Sequence, residues 1–158
     1  MKIQKTNAAR QLDTAGLRYS LVPYAVDEND LSAVHLAAQL GQCVSRIFKT
    51  LVLTGDKSGY VVCLVPGGNE VDLKKIAKQS GNKKCDMIPL KDPLPLTGYM
   101  RGGCSPIGMK KRFPTYIHES VYDFDTVFVS AGQRGLQLEI APDDLIRQTG
   151  AILGDFIA

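Results

Sequence analysis

The sequence predicts an α+β fold with a mixed, mostly antiparallel sheet, and three patterns lead there. Two near-continuous apolar runs, residues 47–54 and 59–65, flank Gly55-Asp56-Lys57-Ser58, a composition that suits a hairpin turn. Leu136, Leu138 and Ile140 alternate with Gln137 and Glu139, and the turn residues 131–135 join that strand to an apolar run at 126–130. Strands outnumber helices and neighbours are hairpin-linked, which favours antiparallel pairing.

Taken in order, residues 6–16 read as a helix capped by Thr6 or Asn7 and stopped at Gly16. Residues 17–24 are strand-like until Pro23. Asp30 or Ser32 can cap a second helix that runs to about Leu40 and ends at Gly41. The first hairpin follows. Asp72 then caps a helix over 73–80, with Leu73, Ile76 and Ala77 inward and Lys74 and Lys78 outward. A proline-rich connection leads to a glycine-rich loop at 97–108 (TGYMRGGCSPIG), followed by a strand at 115–118 and the second hairpin. Asp143 or Asp144 opens the last helix. No repeat or linker interrupts the chain, so residues 1–158 are expected to form one domain.

Composition narrows the function. Apolar residues at 44% and charged residues at 22% are ordinary globular values. No apolar run approaches the ~18 residues of a membrane span, and the N-terminus lacks a signal-peptide core, so a cytoplasmic protein is expected. The four cysteines (Cys43, Cys63, Cys85, Cys104) form no C-x-x-C pair, and with only His35 and His118 beside them no metal set appears. Neither metal nor cofactor is expected. The net charge of +3 is mild, but basic residues gather at 74–84 and at Lys110, Lys111 and Arg112, directly after the glycine-rich loop.

Lys49 is the residue that most needs explaining. At period two it shares a face with Ile47, Leu51 and Leu53, while Phe48, Thr50 and Val52 share the other. An unpaired ammonium in an apolar interior costs several kcal/mol, so Lys49 must be paired, deprotonated or placed at the rim of a cavity. Gly102, Gly103 and Gly108 fit either a backbone cradle for an anion or carbonyl, or a tight turn between strands. Cys104 and Ser105 are nucleophile candidates with His118 as base, although nothing in the spacing fixes their geometry.

In chain order, Phe48-Lys49-Thr50-Leu51-Val52, residues 72–77 (DLKKIA), residues 97–108 and residues 130–135 (SAGQRG) together resemble the YbaK/EbsC family. These are aminoacyl-tRNA editing proteins that include the free-standing Cys-tRNA(Pro) deacylase. The resemblance implies a barrel-like sheet with helices packed around it, and a deacylase acting in trans on aminoacyl-tRNA, with a prolyl-tRNA synthetase as a further partner. It places Lys49 in the substrate pocket, with Gly102 and Gly103 lining the ester and contributing backbone amides. Tyr24, Thr50, Ser105, Ser130 and Gly132 are then expected to border the substrate, and Lys110, Lys111, Arg112 and Arg134 to meet tRNA. For a cysteinyl ester the implied mechanism is substrate-assisted: the thiol attacks its own ester and leaves as a thiolactone. Alternatives are an alanine- or serine-specific editor of the same family, a module that only binds the aminoacylated end, and the Cys104/Ser105–His118 hydrolase. Cys104 stands where the family usually has a small or apolar residue, and Gln133 where it often has a basic one.

Overall fold

The computed structural model describes residues 5–26, 29–30, 32–88, 104–109 and 113–158. Among them, four helices surround two sheets. Helix α1 spans Asn7–Thr14, α2 Ala33–Leu40, α3 Leu73–Gln79 and α4 Pro142–Thr149. Strands β1 (Tyr19–Pro23), β7 (Leu136–Ile140) and β6 (Val127–Gln133) form a three-stranded sheet in the order β1-β7-β6. Strands β4 (Cys85–Met87), β2 (Phe48–Gly55), β3 (Gly59–Pro66), β5 (Thr115–His118) and β8 (Ile152–Gly154) form the second, in the order β4-β2-β3-β5-β8.

The pairing is antiparallel except at β3–β5 and β5–β8. The mixed, mostly antiparallel expectation therefore holds. The barrel-like element of it does not: both sheets stay open among the described residues, ending at β1 and β6 and at β4 and β8. The sheets share a core and meet at their edges through the parallel bridge Ile47–Phe128. Phe48, Val52, Val62, Leu64 and Ile117 from one meet Val129, Leu136, Leu138 and Ile140 from the other, with Ala8 and Leu12 of α1 and Leu145 of α4 closing the side.

The opposite face of the larger sheet carries Leu53, Val61, Cys63 and Val65, covered by Ile76 and Ala77 of α3 and by Phe156. Burial there, with Cys85 adjacent, pushes the Cys63 thiol up to about 12, so it stays protonated and inert. On the outer face of the smaller sheet, Phe128 packs with Ile47 and Ala37, which brings α2 over that sheet.

The caps show why these helices start where they do. Thr6, Ser32 and Asp72 accept the first free backbone N–H groups of α1, α2 and α3. Helix α4 begins instead with Pro142 at its first turn, with Asp143 and Asp144 beside the positive end of the helix dipole. Arg46 fixes the approach to β2. It donates to Thr126 O at 2.7 Å, pairs with Glu139 at 3.0 Å and lies over the Phe128 ring. No described helix is long and apolar enough to cross a membrane.

The β2–β3 turn depends on one buried amide. Asn82 Oδ1 accepts from Lys57 N and Ser58 N, both at 2.9 Å, while its Nδ2 donates to Ser58 and Ser80 Oγ. Truncating it leaves those groups without partners inside the protein. Asn82→Ala is expected to lower stability by about 2–3 kcal/mol in urea denaturation. A loss within error would show that solvent replaces the amide.

Candidate active site

A cavity of about 670 Å³ opens where β2, α2, the end of β3 and the smaller sheet converge. Its position follows from a pairing mismatch. Strand β3 pairs along all of β2, but β4 pairs with it only from Leu53 to Gly55. On the other edge β6 meets the chain only at the parallel bridge Ile47–Phe128, just before β2; no described strand pairs with residues 49–52 there, and the cavity runs along that stretch. Gly67 N donates to Ile47 O at 2.7 Å, so the odd-numbered residues turn their peptide groups towards β3. Phe48, Thr50 and Val52 therefore turn theirs the other way, Phe48 beside the bridge to β6 and Thr50 and Val52 to the open stretch.

Lys49 takes the rim position. Its side chain is 28% exposed, and its ammonium lies 3.7 Å from Glu70, whose side chain is 85% exposed. That distance is an ion pair without a hydrogen bond, to an acid that moves freely in water. Such a pair is worth about 0–1 kcal/mol, so Lys49 is released to an incoming anion at little cost.

Deeper in the wall the polar groups are unpaired. Thr50 Oγ1 and Gln137 Oε1 are both buried without a hydrogen-bond partner, and both residues line the cavity. Buried acceptors in native proteins almost always have partners, so two exceptions in one cavity point to a ligand. Ser130 lies opposite Gln137 across the β6–β7 ladder and also lines the cavity. A bulge between Ser130 and Gln133 bends β6 here, with Gly132 at φ 105° and its N–H on Ser130 Oγ at 3.2 Å.

Helix α2 forms the far side. Asp30 and His35 stand at its start, 3.9 Å apart, and the Ser32 hydroxyl and N–H hold the Asp30 carboxyl below the usual carboxylate range. The helix comes this close because Gly67 has no side chain. A Cβ there would lie 2.5 Å from Ala33 Cβ and 3.0 Å from Ile47 O.

Residues 27–148 match the family model of the aminoacyl-tRNA editing domain. The chain belongs to that family. It is 51% identical over 146 residues to EbsC of Enterococcus faecalis, provisionally named a Cys-tRNA(Pro)/Cys-tRNA(Cys) deacylase, covering 92% of this chain and 89% of that protein. A crystal structure described provisionally as a trans-editing enzyme for prolyl tRNA synthetase superposes with a TM-score of 0.83. The two are 27% identical, over 98% of this chain and 99% of that one. Part of the proline–tRNA ligase of Thermosipho melanesiensis is also similar, 30% identical over 92 residues, which is 52% of this chain and 16% of the ligase.

Within this editing domain the structure brings Tyr24, Lys49, Thr50, Ser130 and Cys104 to one cavity. Ser105 is elsewhere: it is fully buried, and its hydroxyl accepts Ile107 N–H inside its own loop. Gly132 and Arg134 do not line the cavity either. Gly102, Gly103, Lys110, Lys111 and Arg112 lie outside the described residues.

The expected dyad of Cys104 or Ser105 with His118 is not assembled. His118 is buried away from the cavity, with Nδ1 2.8 Å from Ser120 Oγ and Nε2 3.4 Å from Asp155. Glu70 and Gln137 are polar wall residues that the sequence did not single out, and Asp30, read there only as a helix cap, joins them. For Gln137 a signal existed: it is the polar partner in a strand whose other face is core, and it becomes informative once α2 is known to cover that side.

Gly67→Ala should force α2 away from β2 and cost about 1–3 kcal/mol, as other overpacked positions do. Thermal and urea melts test this. An unchanged midpoint would mean that α2 sits on β2 with slack.

Proposed function

We propose that this protein is a trans-acting aminoacyl-tRNA deacylase that removes mischarged cysteine, with Cys-tRNA(Pro) as its main substrate. The observation that carries the reading is Lys49. A strand lysine holds a releasable ammonium at the rim of a cavity whose wall also presents the unpartnered Thr50 hydroxyl. The name given to the 51% identical EbsC supports the reaction, and the free-standing editing structure supports action in trans. The likeness to part of a proline–tRNA ligase supports a prolyl-tRNA synthetase as partner.

The chemistry asks little of the protein. An aminoacyl ester is already activated, so the site has to orient it and stabilise the oxyanion that develops on its carbonyl. Lys49 supplies the charge, and the Thr50 peptide group on the open edge of β2 faces the same space. Family resemblance adds the backbone of Gly102 and Gly103. The substrate thiol attacks the ester carbon, a C–S bond forms, and the C–O bond to the ribose breaks. The departing ribose oxygen takes a proton, and a thiolactone leaves. No protein nucleophile is needed, in keeping with a His118 that is engaged elsewhere. Ser130 and Gln137 are placed to read the amino-acid end, and Arg134 with the basic run at 110–112 to meet the tRNA backbone.

A deacylation time course on Cys-, Ala- and Pro-tRNA(Pro) tests the assignment. Cysteine should be lost selectively, and Lys49→Ala should lower kcat by roughly 10²-fold while the fold is kept, as removal of one oxyanion-stabilising group does. Turnover of alanine instead would move the specificity, and near-normal rates in the variant would remove Lys49 from the mechanism.

The Glu70 carboxylate makes a separate prediction. Glu70→Gln should lower KM by up to about fivefold, the worth of an exposed ion pair, and leave kcat in place. A kcat loss comparable to that of Lys49→Ala would instead make Glu70 part of the reaction.

A further inference from the structure

We propose that Cys104 is a thiol–disulfide exchange site, at which the disulfide of the amino acid cysteine forms a reversible mixed disulfide that occupies the cavity. The effect on deacylation rests on the function proposed above. The modification itself does not.

None of the four cysteines is in a disulfide, yet their surroundings differ. Cys63 and Cys85 are buried behind β2 and β3, out of a reagent's reach, and burial also pushes the Cys63 thiol up. Cys43 is exposed, but it does not line the cavity. Cys104 is half-buried and lines it. Thiol exchange needs access and a place for the incoming half, and among the described residues only Cys104 has both.

The wall chemistry selects which disulfide fits. A cysteine half carries a carboxylate and an ammonium close together. Lys49 offers a cation whose counter-ion is loosely held. Gln137 is only 4% exposed, and its Oε1 has no partner, so it is an acceptor waiting for a donor such as an ammonium. Thr50 adds a second unpartnered oxygen in the same wall. A volume of about 670 Å³ holds one amino-acid half with room to spare.

The step is an ordinary exchange. The Cys104 thiolate attacks one sulfur of cystine, and a new S–S bond forms to that half as the old one breaks. The second half departs as a thiolate and takes a proton from solvent, so Cys104 is oxidised and cystine reduced. A reducing thiol reverses the exchange.

The test incubates the folded full-length protein with cystine or with cystamine, which lacks the carboxylates. Peptide mass spectrometry locates adducts, and deacylation is followed in parallel. The expected result is a cystine adduct at Cys104 that forms faster than the cystamine adduct and is slowed by Gln137→Leu. Activity should fall in proportion to the adduct and return with dithiothreitol. In Cys104→Ser and Cys104→Ala, whatever deacylation each variant retains should be unchanged by cystine. An adduct on Cys43 alone, equal rates for the two disulfides, or full activity in the Cys104 adduct would each overturn the proposal. Should the unmodified protein lack deacylase activity, the proposed function fails while the mass measurement still decides the exchange site.

Discussion

An ammonium cannot be sealed into an apolar interior, and the neighbourhood of β2 is arranged around that constraint. Lys49 lies two residues before Leu51 and four before Leu53, on the strand face that α3 and Phe156 cover further along. Were that cover continuous, Lys49 would be buried with no comparable partner. The larger sheet instead stops pairing on one side of β2 at Leu53, α2 stands off across a gap, and the lysine reaches water at the rim. Cavity, open strand edge and lysine are three descriptions of one local solution.

Several supports serve the same region from a distance. Arg46 anchors the turn before β2 to Thr126, just ahead of β6, and to Glu139 of β7, which fixes the two sheets relative to each other where the cavity opens. Thr6, the cap of α1, also donates its hydroxyl to Ala131 O beside the β6 bulge, and so holds the strand that presents Ser130. Among the described residues the site is thus built mainly on strands and their bulge, with α2 as a helical wall. Rigid placement suits a mechanism that relies on orientation and electrostatics instead of on a protein nucleophile.

Much of this was legible in the sequence, and the failures have physical reasons. The caps Thr6, Ser32 and Asp72 were readable because a side-chain oxygen at a helix start has few other uses. Strand β7 was readable to the residue because its apolar side faces a core and Glu139 stays half-exposed. Strands β4 and β8 were not, since three residues carry no period and their pairing comes from distant partners. The parallel β3–β5–β8 ladder likewise joins segments that no local pattern links. Lys49 stood out because charge broke an apolar face. Glu70 and Gln137 broke nothing locally, and only the folded chain brings them to Lys49's cavity.

The unpaired oxygens of Thr50 and Gln137 also bear on how the molecule is poised between folded and unfolded states. In the unfolded chain both are hydrated, whereas folding buries both without a partner, at a cost of about 1–3 kcal/mol each. A ligand that donates to them returns that free energy only to the folded form. A ligand that makes these bonds is therefore itself a source of thermal resistance. Turnover and folding draw on the same two atoms.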